Sequence, residues 1–408
     1  SGVSVQADGR RLQLSLDYFL RSSTYNQLTN AGDLFHQFRG DATAELIRDL
    51  FFIDVQGLRS RRRIDPGVGN IPSFAYLRDG FTTVSVVEVA PYFAWNFGRD
   101  VAGELRYGVN RVTYSDASRA DGEIGKLSMF LHSSPSQSRF YWEFQYGGSE
   151  VKYDNGSEAT LEDTSVSLYI PIGYRVSFIL KPGYERNEYR FGASQSVGEG
   201  SYWGAGVRWD SGRELYIEAL SGEHYYGRTQ SLEVRYQTVQ LEIGAQYDEY
   251  VESQLQSQLG RAVYGSSVTE EGSEFALPSV ESDVYLTRRF GTDILYRHGR
   301  NEVTASIYDQ QRTSQIRTYA YQARGGSIRL ARNLSATVTM AFNISGYKRI
   351  YETDSRLDRR REYGFEIGKA FNSRLDGGLV VTHYGQNSTL ANYSYRENRI
   401  TATMSMTF

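Results

Sequence analysis

Apolar side chains in this chain recur at every second position, run after run, and seldom build up into a continuous stretch. In LSATVTMAFNIS, Leu334, Ala336, Val338, Met340, Phe342 and Ile344 share one register, against Ser335, Thr337, Thr339, Asn343 and Ser345 in the other. RLQLSLDYFL sets Leu12, Leu14, Leu16, Tyr18 and Leu20 against Arg11, Gln13, Ser15 and Asp17. The same rhythm places Phe140, Trp142, Phe144 and Tyr146 opposite Glu143 and Gln145, and Trp203, Ala205, Val207 and Trp209 opposite glycines and Arg208. It also places Leu241, Ile243, Ala245 and Tyr247 opposite Gln240, Glu242 and Gln246. Successive side chains of a β-strand point to opposite faces, so each run is a strand with one apolar and one polar face.

Strand length separates the two environments that such a strand can serve. Strands of a water-soluble sandwich usually end after about five or six residues, whereas many runs here reach about nine, enough to cross a bilayer at a tilt. Spanning helices are excluded, because the longest apolar candidate, VSVVEVAPYFAWNF, is interrupted by Glu88 and Pro91. A mean hydropathy of -0.50 is no obstacle, since a barrel strand shows only alternate residues to lipid. In hydrocarbon every backbone amide needs an internal partner, which a sheet achieves by closing on itself. The expected fold is an all-β, transmembrane, antiparallel up-and-down β-barrel in the bacterial outer membrane. Counting from Arg10 gives about 20 strands, within roughly 18 to 22, and an even number puts both ends in the periplasm.

The connections alternate in length. Short turns are expected at IRDL, FGRD, SSPSQS, IPIGY, DSG, QTVQ, RFGTD, ARNL and AFNS, with longer connections such as RSRRRIDPGVGNIPSF, YDNGSEAT, GASQSVGEG, YETDSRLDRRR and YGQNSTLANYSY between them. Short periplasmic turns and longer extracellular loops are the outer-membrane arrangement. One domain over residues 1–408 is expected, with a long loop at 249–278 where Leu255 and Leu259 could mark a short helix in an otherwise polar surface segment. The chain starts mid-pattern on GVSV, which reads as a processed or incompletely observed N-terminus with a possible upstream hairpin.

Several chemistries have no basis in the sequence. There is no Cys, so disulfides, thiolate nucleophiles and covalent haem attachment are excluded. A net charge of -3 gives no drive toward nucleic acid. His36, His132, His224, His298 and His383 form no ligand spacing, so neither a metal nor any other cofactor is expected. GVGN and GASQSVGEG lack phosphate-binding spacing and read as loops. His383 with Ser388 in THYGQNS is the only pair resembling a rim hydrolase, and a non-enzymatic barrel is the stronger expectation.

The polar register carries the candidate site. Arg11, Asp17, Glu104, Arg106, Glu143, Arg208, Glu218, Glu233, Arg235, Glu242, Glu302, Arg329 and Glu366 are expected to line the lumen. Both signs are interleaved, which implies a wet lumen with local ion pairing and no strong single-sign filter. Arg59 to Arg63 and Arg356 to Arg361 lie toward the long-loop end, as a solvated rim or as attractors of acidic polysaccharide or lipopolysaccharide phosphate. Tyr18, Tyr25, Tyr107, Tyr114, Tyr146, Tyr153, Tyr184, Tyr189, Tyr347 and Tyr351 sit where strands meet connections and suggest an interfacial girdle. The closing ITATMSMTF sets Ile400, Ala402, Met404, Met406 and Phe408 against hydroxyl residues, and Phe408 is the expected assembly signal.

GVSVQADGRRLQLSLDYFLRSSTY, followed by DLFHQFRGDATAELIRDLFFIDVQG, resembles the outer-membrane β-barrel family associated with PEP-CTERM and exosortase exopolysaccharide systems. YGRTQSLEVRYQTVQLEIGAQYDEY is similar to that family's hairpins. The resemblance implies an envelope barrel near polysaccharide-export machinery and supplies no catalytic residues. The expected function is an outer-membrane pore for exopolysaccharide or another large solute. The alternative is a scaffold barrel whose lumen holds a partner lipoprotein or cytochrome. Expected partners are outer-membrane lipid and lipopolysaccharide, with polysaccharide or periplasmic export proteins, and no nucleic acid.

Overall fold

The computed structural model describes residues 2–23, 33–63, 81–98, 100–115, 120–133, 140–192, 194–253, 284–315, 320–352, 355–372, 374–390 and 394–406. They form 21 strands: β1 (Gly2–Asp8), β2 (Leu12–Ser23), β3 (Asp33–Ile47), β4 (Phe51–Arg63), β5 (Phe81–Phe97), β6 (Val101–Tyr114) and β7 (Gly122–Ser133). Next come β8 (Tyr141–Tyr153), β9 (Glu158–Pro171), β10 (Val176–Phe191), β11 (Ser194–Asp210), β12 (Leu215–His224), β13 (Gly227–Gln237) and β14 (Leu241–Ser253). The last are β15 (Val284–His298), β16 (Asn301–Ser314), β17 (Ala320–Asn333), β18 (Val338–Tyr351), β19 (Leu357–Ala370), β20 (Leu375–Ser388) and β21 (Tyr395–Met406). Each pairs antiparallel with its neighbours in sequence, continuously from β1 to β21. The ladder that would join β21 to β1 is not among the described pairings. The count from β2 onward agrees with the sequence reading. GVSVQAD is itself a strand, with Val5 opposite Leu16, and it makes the number odd. Gly2 and Met406 therefore lie at opposite ends of the sheet, which corrects the expectation that both ends share one side.

Register decides which face meets lipid. Leu330 pairs with Phe342, Phe342 with Phe365, Phe365 with Val381 and Val381 with Ile400, a row of apolar side chains across five strands. Every one is exposed, Phe342 at 40% and Ile400 at 73%. Val87, Val89, Phe93, Leu105 and Val109 continue the band on β5 and β6. Apolar area left in water costs about 25 cal/mol per Å², and a band this extensive is stable only against hydrocarbon.

Tight turns close one end of the barrel. Gly98 (φ 65°) and Gly299 (φ 58°) take left-handed conformations that a side chain would strain, at the β5–β6 and β15–β16 turns. RFGTD is not a turn: Gly291 lies inside β15, opposite Gln246 and Tyr308, because Phe290 and Thr292 keep the alternation through it. GASQSVGEG is not a loop either, since Ser194 to Gly200 pair with Phe191 to Glu185 along the β10–β11 hairpin. Connections at the other end are thus uneven, and Tyr225 and Tyr226 alone link β12 to β13. The expected loop at 249–278 starts later, because residues 249–253 belong to β14; the remainder, with Leu255 and Leu259, lies outside the described residues, as do GVGN, Tyr25 and Phe408.

The bore is not uniformly wet. Toward the uneven end the inner faces of β5 to β9 carry Val84, Val86, Val112, Ile124, Val151, Ala159 and Leu161, all shielded from solvent. Across from them, β16 to β19 bury arginines on their inner faces: Arg312 with Glu252, Arg360 with Glu362, and Arg349 with Tyr351. Arg356, just before β19, is buried against Asp358. This overturns the expectation of water throughout the lumen, because apolar residues in the inward register exclude it at that level. Half of the expected tyrosine girdle also turns inward. Tyr18, Tyr107, Tyr146 and Tyr184 share the lipid-facing register, whereas Tyr114, Tyr153, Tyr189, Tyr347 and Tyr351 share the inward one.

Candidate functional site

The β12–β13 hairpin is short, and its tip leans inward over β10 and β11. Tyr225 packs so closely on Gly198 that a Cβ there would lie 2.4 Å from its ring. Its hydroxyl accepts a hydrogen bond from Asn187 Nδ2 at 2.9 Å. His224 Nδ1 lies 2.8 Å from Glu185 Oε2, and the imidazole is sandwiched between Tyr202 (centroids 4.1 Å apart) and Tyr226 (5.1 Å). Asn187 Nδ2 holds the other Glu185 oxygen at 2.7 Å. Burial pushes the phenols of Tyr225 and Tyr226 above their ordinary range, so both stay protonated. Because the tip turns in, pairing between β13 and β14 stops at Leu232 opposite Tyr247, although the strands continue to Gly227 and Ser253.

Beneath this tip a cavity of about 650 Å³ follows the inner wall of β8 to β14. Its lining reaches from Glu143, Tyr169, Arg208 and Tyr216, beside the short turns, to His224 and Tyr226 at the hairpin tip. Glu143, Asp163, Glu185, Glu218, Glu233, Asp248 and Glu249 line it with Lys181 and Arg208, while Arg235 and Arg288 hold Glu233 and Glu249 from its margin. Tyr169, Tyr202, Tyr216, Tyr226 and Tyr250 supply aromatic surface. The expectation of balanced charge does not hold along this wall, because the register groups carboxylates that the sequence scatters. Tyr202 donates to Asp163 at 2.7 Å, Tyr169 to Glu143 at 3.1 Å and Tyr216 to Glu218 at 2.7 Å. Carboxylates paired with phenol rings offer acceptors for hydroxyl groups beside flat faces for apolar ring surfaces.

The sequence-derived candidates fall into three groups. Glu143, Arg208, Glu218 and Glu233 line the cavity, with Arg208 held by Glu218 at 2.8 Å and stacked 3.8 Å above the Tyr169 ring. Glu104, Arg106, Arg235, Glu242, Glu302, Arg329 and Glu366 form a belt of ion pairs on the inner face near the short turns. Arg106 bridges Glu104 and Asp54, Arg235 reaches Glu233 at 2.9 Å, and Arg297 links Glu242 (3.2 Å) to Glu302 (3.1 Å). Arg329 meets Glu366 at 2.9 Å. Asp17 accepts from Ser4 on the inner face, whereas Arg11 lies exposed in the β1–β2 turn and lines nothing. Asp163, Glu185, Asp248 and His224 were not singled out. Alternation gives each of them a face but no neighbour, and only the register shows that they converge. His383 and Ser388 lie on opposite faces of β20, with His383 Nδ1 2.7 Å from Asn398, so they cannot act on one substrate. Among the described residues no group of His, Asp and Glu is arranged to hold a metal ion.

Solved structures resemble this chain closely in architecture and hardly at all in sequence. The ferric-catecholate import receptor Fiu from E. coli K12 superposes with a TM-score of 0.57 at 9% identity, over 99% of this chain and 78% of that one. The outer-membrane β-barrel is the fold of this chain. The ferric enterobactin receptor PfeA from Pseudomonas aeruginosa, as a mutant bound to enterobactin, gives a TM-score of 0.57 at 10% identity over 98% and 74%. The FrpB iron transporter from Neisseria meningitidis gives 0.55 at 8% identity over 99% and 79%. No family model and no curated protein matches the chain. With its exposed apolar band, this fold places the protein in the bacterial outer membrane.

Proposed function

We propose that the barrel conducts a polyhydroxylated solute across the outer membrane, with exopolysaccharide as the substrate class. The observation that carries this reading is the tyrosine and carboxylate lining of the cavity along β8 to β14, which runs from the short turns to the hairpin tip. Sugar rings present apolar faces and hydroxyl edges together, and such a wall matches both while giving repeated weak sites that allow onward passage. The resemblance of the first strands to barrels of PEP-CTERM and exosortase systems supports the same class, with periplasmic export proteins as partners. Conductance of the purified protein in planar bilayers tests it. Neutral oligosaccharides should block the current reversibly, and the double variant Tyr202→Ala, Tyr216→Ala should weaken the block about tenfold. A protein that never conducts, or a block unaffected by both changes, refutes the reading.

A second reading is a scaffold barrel holding a partner lipoprotein or cytochrome. It is favoured by the shielded inner faces of β5 to β9, which leave the short-turn half of the bore as the space such a chain would enter. A protein co-purifying within the lumen would favour it over conduction.

A further inference from the structure

Toward the uneven end of the barrel, the outer faces of two sectors are built on opposite charge logic. On β6 to β11, cations lie beside carboxylates: Arg111 near Asp154 at 3.5 Å, Lys152 near Glu150 at 2.6 Å, Arg186 near Glu188 at 3.3 Å and Arg190 near Glu158 at 2.6 Å. On β17 to β21 the register sets cation against cation. Arg324 is directly opposite Lys348, and Lys348 is directly opposite Arg359. Two residues closer to the apolar band, Arg361 and Arg396 stand on either side of Gly385, where a Cβ would just touch the His383 ring. All five are exposed. Arg324 has Asp309 at 2.7 Å; among the described residues no carboxylate pairs with Lys348, Arg359, Arg361 or Arg396.

The arginine-dense segment before and within β19 is therefore divided by strand periodicity. Arg356 and Arg360 are buried with Asp358 and Glu362, while Arg359 and Arg361 point outward with no acidic partner among the described residues. Like charges directly opposite each other destabilise a sheet, and three adjacent strands, β17 to β19, carry them in one row, with Arg361 and Arg396 flanking Gly385 in the next. An anion of matching spacing removes that cost. Directly below on the same face come Ile344, Tyr363 and His383, then Phe342, Phe365 and Val381, so the cations stand at headgroup depth above the lipid-facing band.

We propose that this patch on β17 to β21 binds the phosphate groups of a phosphorylated glycolipid of the lipopolysaccharide class, with its acyl chains on the apolar row beneath. Arginine accepts phosphate oxygens through paired hydrogen bonds, and several phosphates on one headgroup match several cations on one face. Continuity with the lipid-facing band separates this occupant from a free anion, which would gain nothing from that band.

The test uses the whole protein in detergent micelles and follows retention of bis-phosphorylated lipid A by native mass spectrometry. Wild type should retain it and should lose at least tenfold in occupancy with dephosphorylated lipid A, a comparison that requires no variant to fold. The triple variant Arg359→Gln, Arg361→Gln, Arg396→Gln should show a similar loss, whereas Arg186→Gln, Arg190→Gln in the paired sector should not. Equal retention of the dephosphorylated lipid overturns the proposal. So does inorganic phosphate or an acidic polysaccharide displacing lipid A at equal phosphate or carboxylate concentration.

Discussion

His224 and Glu185 meet 2.8 Å apart across the inward-leaning hairpin, the one on β12 and the other on β10, with β11 lying between their strands. This bond, with the Asn187 to Tyr225 bond beside it, ties the hairpin tip to the inner wall. His224→Ala should release the tip. The chain has no Cys, so a single Tyr226→Cys label, which leaves both bonds in place, reports on it unambiguously. Maleimide should react slowly in the parent and about tenfold faster once His224 is removed. Equal rates would show that packing alone holds the tip.

Gly198→Ala attacks the same contact from the other side. The added methyl would collide with the Tyr225 ring, which can move aside only by giving up its packing and the Asn187 bond. Overpacking of this kind costs about 1 to 3 kcal/mol, measurable as a lower urea midpoint in lipid vesicles. An unchanged midpoint would mean that the hairpin moves freely.

Adjacent positions on β8 test the faces. Phe144 pairs with Leu131 and Val166 in the lipid-facing band, while Gln145 lies exposed on the lumen wall beside the carboxylates. Phe144→Arg should cost about 2 to 4 kcal/mol near the bilayer midplane, and Gln145→Arg well under half of that. Equal losses by equilibrium unfolding would invalidate the assignment.

The excess of carboxylates along the cavity predicts a moderate preference for cations. Reversal potentials across a salt gradient should show it at 0.1 M KCl and lose most of it near 1 M, where the screening length falls to about 3 Å. Arg208→Gln should strengthen the preference, and Glu218→Gln or Glu233→Gln should each weaken it. A reversal potential unaffected by all three variants would exclude this wall from the conduction path.

Asp358→Asn removes a carboxylate partner of Arg356, whose guanidinium meets it at 2.9 and 3.1 Å and is almost wholly buried. Breaking a buried ion pair costs about 3 to 5 kcal/mol. A loss below about 1 kcal/mol in urea unfolding would show that water reaches this pair.

What the sequence shows follows from what period two can encode. The faces of β8, β11 and β18 are correct from alternation alone, because lipid selects one parity and says nothing about neighbours. The same parity separates Arg359 from Arg360, yet it cannot reveal that Arg359 faces Lys348, since that depends on turn length and register. Turn chemistry misleads at RFGTD and GASQSVGEG, where glycines fit inside strands: Gly291 has nothing nearby, and Gly198 makes room for Tyr225. The cavity is the least visible feature. Glu143, Asp163, Glu185 and Asp248 come from separate strands and share one wall only through the register and strand order.

That folding also sets where the wall can give. β13 and β14 are joined only from Leu232 opposite Tyr247 to Gln237 opposite Glu242, while β10 and β11 are zipped along their whole length. A strip held by so few rungs is a weaker join than the β12–β13 and β14–β15 ladders on either side of it, so on this side of the wall strain is relieved there first.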